Sequence, residues 1–313
     1  MADQAGRKID NKTVVGATRS KPYWFILFLL LCVCVPTSPQ RHTSPTSPAP
    51  KPHWILTWSD EFNESFGSAP DPAKWVVETG GNGWGNGESE YYTSRHQNVR
   101  EEDGNLVIEA MRERFTEPGG IQRNYTSARL KTQGRFAQQY GRFEARIKVP
   151  NGRGLWSAFW LLGDDFPKKG WPACGEIDVM EDVGADPSTV RGSLHGPGYS
   201  GGNSLTAAYT LPKGRFSDDF HIFTADWEPD SVRFYVDGKL YETKTPADLS
   251  NERWVFDHPF YIILNVAVGG GLGGIPDNLG FPQRMLVDYV RVYSRGTAAS
   301  EPETGPNKSA NKR

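Results

Sequence analysis

Cysteine is scarce in this 313-residue chain, with three in all. Cys32 and Cys34 fall inside one apolar run near the N-terminus, which leaves Cys174 alone in the central part. No disulfide can therefore form within a folded central domain. A chain of this length can bury a core large enough to do without one, so the shortage does not argue against export. Charge imbalance is missing as well: 35 Lys and Arg against 37 Asp and Glu leave a formal net charge of -2. That excludes nucleic acid as the main partner. The conspicuous apolar run, YWFILFLLLCVCV from Tyr23 to Val35, has 13 residues, short of the about 20 that a bilayer-spanning helix needs. No segment of useful length repeats its apolar residues at helical period, and no strand–helix–strand rhythm is present, which argues against parallel α/β folds and helical bundles.

What is present divides the chain. Arg7, Lys8, Lys12, Arg19 and Lys21 precede the apolar run, the order found in secretory signals. No small-x-small cleavage site follows directly, and Leu31 and Val33 stand where a lipobox needs small residues. Residues 1–35 thus read as a signal peptide or an uncleaved membrane anchor. The protein is expected to be secreted or held on the outer face of the cytoplasmic membrane. Residues 36–53, including PTSPQRHTSPTSPAPKP, form a Pro/Ser/Thr linker that cannot build a core. Residues 296–313 are a polar tail that reads as disordered. One folded domain, 54–295, remains, and it is expected to act as a monomer.

Within that domain glycine and aromatic residues are plentiful: 34 Gly, 10 Trp, 12 Tyr and 16 Phe in the chain. Short strand-like runs alternate with turns, among them GRFEARIKV (141–149), LWSAFWLLG (155–163), GEIDVME (175–181), HIFTADWE (221–228), PFYIILNVAVG (259–269) and MLVDYVRVY (285–293). Phe143, Ala145, Ile147 and Val149 alternate with polar neighbours, as do Val232, Phe234 and Val236. Asp237-Gly238 sits where a tight hairpin turn belongs. The pattern predicts an all-β domain of two antiparallel sheets packed as a sandwich or jelly roll.

One strand is chemically unusual. GEIDVMEDV, from Gly175 to Val183, reads as a buried strand yet carries Glu176, Asp178 and Glu181. In an unbroken strand Glu176 and Asp178 share a face and Glu181 points away. A single bulge around Val179-Met180 brings Glu181 onto the same face. Retaining cleavage of a glycosidic bond needs two carboxyls about 5–5.5 Å apart, one ionised to attack and one protonated to donate. An acid between them helps hold the pair in different protonation states. The spacing alone is equally compatible with a solvated edge or a metal site.

The run WPACGEIDVMEDVG resembles the signature of glycoside hydrolase family 16, in the ExDxxE form of its bacterial laminarinase-like endo-β-1,3-glucanases. Further motifs carry the resemblance across the domain: WSDEFN (58–63), NGWGNGESEYYT (82–93), YTSARLKT (125–132), GLWSAFWLLG (154–163), GSLHGPGYSG (192–201), FHIFTADWEPDSVRFYVDG (220–238), ILNVAVGG (263–270) and VDYVRVY (287–293). It implies a concanavalin A-like jelly roll, with Glu176 as nucleophile, Glu181 as acid/base, Asp178 as the assisting acid and His195 close to the cleavage point. By itself His195 reads as a structural histidine in a Gly-rich loop. The resemblance also implies that Trp156, Trp160 and Trp171 stack on sugar rings, and that Asn86 and Arg129 hold sugars on the non-reducing side. On spacing alone Arg129 is a surface charge, Asn86 a turn residue and Trp160 equally a core ring.

No organic cofactor is implied. One structural calcium is, with Glu61, the Gly104 carbonyl and Asp288 matching its usual hard oxygen ligands. Cys174 replaces the small Ser or Ala of many relatives beside the nucleophile, and sensitivity to thiol reagents is expected from it. The implied activity is retaining endo-hydrolysis of a β-1,3-glucan such as laminarin. Two other functions fit the same fold: a glucan-binding module without catalysis, and a transglycosylase or a hydrolase of another polysaccharide such as agarose or mixed-linkage glucan. The presence of both glutamates favours catalysis.

Overall fold

A computed structural model describes residues 53–117, 119–278 and 280–296. The N-terminal segment, the linker through residue 52 and the tail from 297 lie outside the described residues. The strands in chain order are β1 (Trp54–Asp60), β2 (Val76–Glu78), β3 (Glu90–Tyr92), β4 (Val99–Glu102), β5 (Asn105–Thr116), β6 (Gln122–Ser127), β7 (Arg129–Lys131), β8 (Gly141–Lys148), β9 (Leu155–Gly163), β10 (Glu176–Val183), β11 (Thr189–His195), β12 (Leu205–Thr210), β13 (His221–Glu228), β14 (Ser231–Val236), β15 (Lys239–Lys244), β16 (Phe260–Val268) and β17 (Gln283–Arg295). They form two sheets. One runs β15-β14-β13-β8-β17-β5-β6-β3, with β1 on β17 and β4 on β5; the other runs β12-β11-β10-β9-β16-β7-β2. The sandwich expected from the alternation is present. Pairing is antiparallel except where β3 lies parallel to β6, a departure from the all-antiparallel expectation.

Alternation buries one face of each sheet in a common core. From the larger sheet come Phe143, Ala145 and Ile147 of β8 with Val232 and Phe234 of β14; from the smaller come Phe159 and Leu161 of β9 with Ile262, Leu264 and Val266 of β16. The hairpin at Asp237-Gly238 is present, both residues at positive φ (50° and 74°), the geometry that suits the twist of its flanking strands. Helix is confined, among the described residues, to single turns such as Phe166–Lys169. None is long and apolar enough to cross a membrane.

Candidate active site

The acidic strand starts where it does because of a glycine. Gly175 has φ +72°, and a Cβ there would stand 2.9 Å from the Phe260 ring and 3.1 Å from Val255. A larger residue would lift β10 off the core just before Glu176. Along β9 the register sets Glu176 opposite Leu162, Ile177 opposite Leu161 and Asp178 opposite Trp160, then slips so that Met180 faces Phe159 and Glu181 faces Ala158. On the β11 side the shift lies between Asp178 and Glu181. Val179 and Met180 both enter the core. Each contributes about 1.5–3 kcal/mol by burial, which offsets the ladder position the extra residue interrupts. The bulge expected at Val179-Met180 is there, and Glu176, Asp178 and Glu181 share the outer face of the smaller sheet.

His195 is the last residue of β11, directly opposite Glu176, not in a Gly-rich loop as its sequence context suggests. Its Nδ1 accepts the Gly201 backbone N–H at 3.1 Å, which places the proton of the neutral ring on Nε2. That Nε2 lies 2.9 Å from Asp178 Oδ2 and 3.6 Å from Glu176 Oε1. Trp156 Nε1 donates to Glu181 Oε1 at 3.0 Å, and Ser193 Oγ to Glu181 Oε2 at 3.4 Å. Burial first, then the charge of Asp178, pushes the Glu176 carboxyl well above the carboxylate range. Burial pushes Asp178 up to about 8, and burial followed by Asp178 pushes Glu181 up to about 8. The site therefore cannot hold three negative charges at neutral pH. Glu176, Asp178 and His195 each offer one ligand atom within 4.8 Å of the others, so this cluster could also hold a metal ion.

A second set of side chains adjoins the acids along β7, β9 and β16. The Arg129 guanidinium lies 4.8 Å from the Trp84 ring and 4.8 Å from the Trp160 ring, and its Nε reaches Glu78 Oε2 at 2.6 Å. Lys131 holds the other Glu78 oxygen at 2.6 Å. Burial acts to raise Glu78, but the two cations outweigh it and its carboxyl sits below the usual range. Arg129 is thus a clamped, stacked cation, not the surface charge its spacing suggests. Trp160 Nε1 donates to Asn265 Oδ1 at 2.8 Å, so this ring belongs to the outer face and not to the main core. Asn86 Nδ2 donates to Glu88 Oε1 at 3.0 Å. Trp171 is 46 % exposed and leans on His195 with ring centroids 6.1 Å apart, so it flanks the acids with a free face. Sequence reasoning missed Glu78, Glu88, Tyr92 and Asn265. The motif NGWGNGESEYYT held the signal for two of them.

Two expectations change. Cys174 is fully buried, and burial pushes its thiol up to about 12. It is an inert core group, and the expected thiol-reagent sensitivity does not follow. On the larger sheet, the residues matched to calcium are engaged otherwise: Arg291 grips Glu61 with bonds of 3.0 and 2.7 Å, and Arg146 holds Asp288 at 2.8 Å. Their hard oxygens suit calcium, yet binding it would exchange both ion pairs for the cation.

Residues 86–291 match the profile described as Glycosyl hydrolases family 16. A "Beta-glucanase" of Rhodothermus marinus is 43 % identical over 254 residues, covering 77 % of this chain and 86 % of that protein. Among solved structures, the laminarinase catalytic domain from Thermotoga maritima superposes with a TM-score of 0.74 at 49 % identity, covering 78 % of this chain and 99 % of that one. The endo-β-1,3-glucanase from Pyrococcus furiosus gives 0.75 at 48 % identity, covering 79 % and 97 %.

Proposed function

The chain belongs to glycosyl hydrolases family 16, and from that premise we infer that it hydrolyses internal β-1,3-glucosidic bonds of laminarin-type glucans with retention of configuration. The observation that carries the retaining mechanism is the bulge, which sets Glu176, Asp178 and Glu181 on one face instead of two. Glu176 attacks the anomeric carbon as the bond to the leaving oxygen breaks, and Glu181 gives that oxygen its proton. Water then loses a proton to Glu181 and displaces the Glu176 carboxylate from the sugar. Glu181, neutral at pH 7 by virtue of its raised pKa, suits the donor role. Asp178 and Glu176 lie close enough for the charge of one to disfavour that of the other, so the two carboxyls titrate as a pair that carries one proton. When Asp178 keeps it, Glu176 is the ionised member and can attack. His195 Nε2 lies beside this pair, 2.9 Å from Asp178 Oδ2 and 3.6 Å from Glu176 Oε1. Trp171 and Trp156 supply flat faces beside the scissile bond, and Asn86, Arg129 and Trp160 bind the non-reducing portion.

The test is to digest reduced laminarin, mixed-linkage glucan and agarose side by side and to follow the first products by proton NMR. New reducing ends appearing from laminarin, first as the β-anomer, are expected. First products in the α-form refute the retaining assignment, and an inert laminarin refutes the substrate.

Two attributes go with this reading. A polymeric substrate cannot enter the cell intact, which supports secretion or attachment to the outer face of the cytoplasmic membrane through residues 1–35, with the domain working as a monomer. Calcium at Glu61, Gly104 and Asp288 would tie the start of the domain to its last strand. Thermal unfolding with and without a chelator checks it, and the midpoint is expected to fall on chelation. An unchanged midpoint, with no metal in the purified protein, leaves the Glu61–Arg291 and Asp288–Arg146 pairs as the whole of that site.

A further inference from the structure

Beneath the non-reducing side of the site lies a buried pair of carboxyls that the mechanism does not use. Glu88 and Glu90 are 6 % and 0 % exposed. Both Glu88 oxygens accept hydrogen bonds, Oε1 from Asn86 Nδ2 at 3.0 Å and Oε2 from the Tyr92 hydroxyl at 2.9 Å. Tyr92 in turn accepts from Asn265 Nδ2 at 3.2 Å, and Asn265 Oδ1 accepts from Trp160 Nε1. A continuous chain of bonds thus runs from Asn86 to Trp160, two side chains assigned to the sugar. Glu90 Oε2 accepts the Val268 N–H at 2.6 Å. Glu90 Oε1 is buried with no donor to satisfy it. A buried oxygen left without a donor is destabilising, and more so if charged. A proton on that atom converts it into a donor, and Glu88, two residues back along the chain, is the carboxylate whose charge acts on it.

We propose that Glu90 is a positioning residue: it holds a proton on Oε1, donates it to Glu88, and so locks the chain that orients Asn86 and Trp160 for glucan binding. The charged and titratable groups facing the pair are few. Tyr92 comes from β3, and Arg129 from β7 is tied to Glu78; β16 presents only Asn265 and the Val268 N–H. Arg129 spends its charge on Glu78 and two indole faces, so no cation bonds to Glu90. Burial first, then the charge of Glu88, holds the Glu90 carboxyl well above the usual range. At alkaline pH the proton leaves to solvent, two carboxylates face each other without water, and Glu88 is driven from Asn86 and Tyr92. The expected signature is a rise in KM with kcat following its own profile.

This inference rests on the glucan-binding role of Asn86 and Trp160, so the experiment has one arm that needs no substrate. Glu90→Gln keeps a donor and an acceptor in the same places but cannot ionise, whereas Glu90→Ala removes both. In the infrared difference spectrum of wild type against Glu90→Gln near neutral pH, a protonated-carboxyl carbonyl band is expected from the wild type. On laminarin, wild-type KM is expected to rise about tenfold into the alkaline range. Glu90→Gln should stay flat, and Glu90→Ala should show a KM raised about tenfold throughout. No such infrared band, or a Glu90→Gln KM that climbs in step with wild type, overturns the proposal. Failure of laminarin as a substrate sinks the functional reading and leaves the infrared result standing. If Glu90→Ala does not fold, the Gln variant and the band still decide.

Discussion

Glu176→Gln is expected to lower kcat on laminarin by about three to five orders of magnitude while leaving KM within a few-fold. The amide has nearly the shape of the carboxyl but cannot form the covalent bond to the anomeric carbon, so the loss falls on the transition state and not on sugar binding. A chemical rescue separates nucleophile from acid/base more sharply than the rate alone. In Glu176→Ala, azide enters the vacated space on the α-face and yields an α-glycosyl azide, with the leaving oxygen still protonated by Glu181. In Glu181→Ala, an activated substrate still glycosylates Glu176, and azide arriving from the opposite face gives the β-azide. The two products are distinguished by NMR. A β-azide from the Glu176 variant, or a Gln variant that keeps more than about a tenth of wild-type turnover, would reverse the assignment.

Stability is expected to decline as pH rises from about 4 to about 8. Four acids on one strand are responsible: Glu176, Asp178, Glu181 and Asp182 all titrate above their ordinary range because burial disfavours their charged forms. Their unfolded pKa values are near 4. Below that both states are protonated, and the acids carry no penalty. Between the unfolded and folded values the unfolded chain has released protons that the folded chain still binds, so the slope of stability against pH is negative. The contribution is fully present below about pH 4 and is lost as pH climbs through about 8. Glu61 and Glu78, lowered by their cations, work the other way, and only below their ordinary range.

Asp182 gives the cleanest test because it faces inward, opposite Ser157 of β9 and Val190 of β11, away from the catalytic face. Its Oδ2 is buried without a hydrogen-bond partner, and Arg191 and Asp186 are the charges that act on it. Asp182→Asn keeps the shape and stays neutral, so it should flatten the decline by about 2 kcal/mol between pH 5 and pH 8. Chemical denaturation at several pH values measures this, and a profile parallel to wild type contradicts the buried-acid account.

Much of the fold was legible because strand alternation is a local property. Runs such as HIFTADWE coincide with β13, and the Asp-Gly turn needed only its own two residues. Short strands such as β2, β3 and β12 were not legible, since their pairing partners make them strands. The acid cluster was half legible. The residue types and their crowding stood in GEIDVMEDV, and the resemblance to a known family supplied roles that spacing could not. Arg129 looked like a surface charge because nothing near it in sequence announces Glu78, Trp84 and Trp160.

The sequence by itself determined the alternation that makes a sandwich, the carboxyl groups on one strand and the glycine that begins it. Tertiary structure decided which way Glu181 points: only the registers of β9 and β11, and a core able to take both Val179 and Met180, select the bulged strand over a straight one. It also decided that Tyr92 meets Asn265, 173 residues away, and that Glu90 lies where water cannot reach. Burial and pairing are set by whichever segments fold against a residue, and distance along the chain carries no record of them.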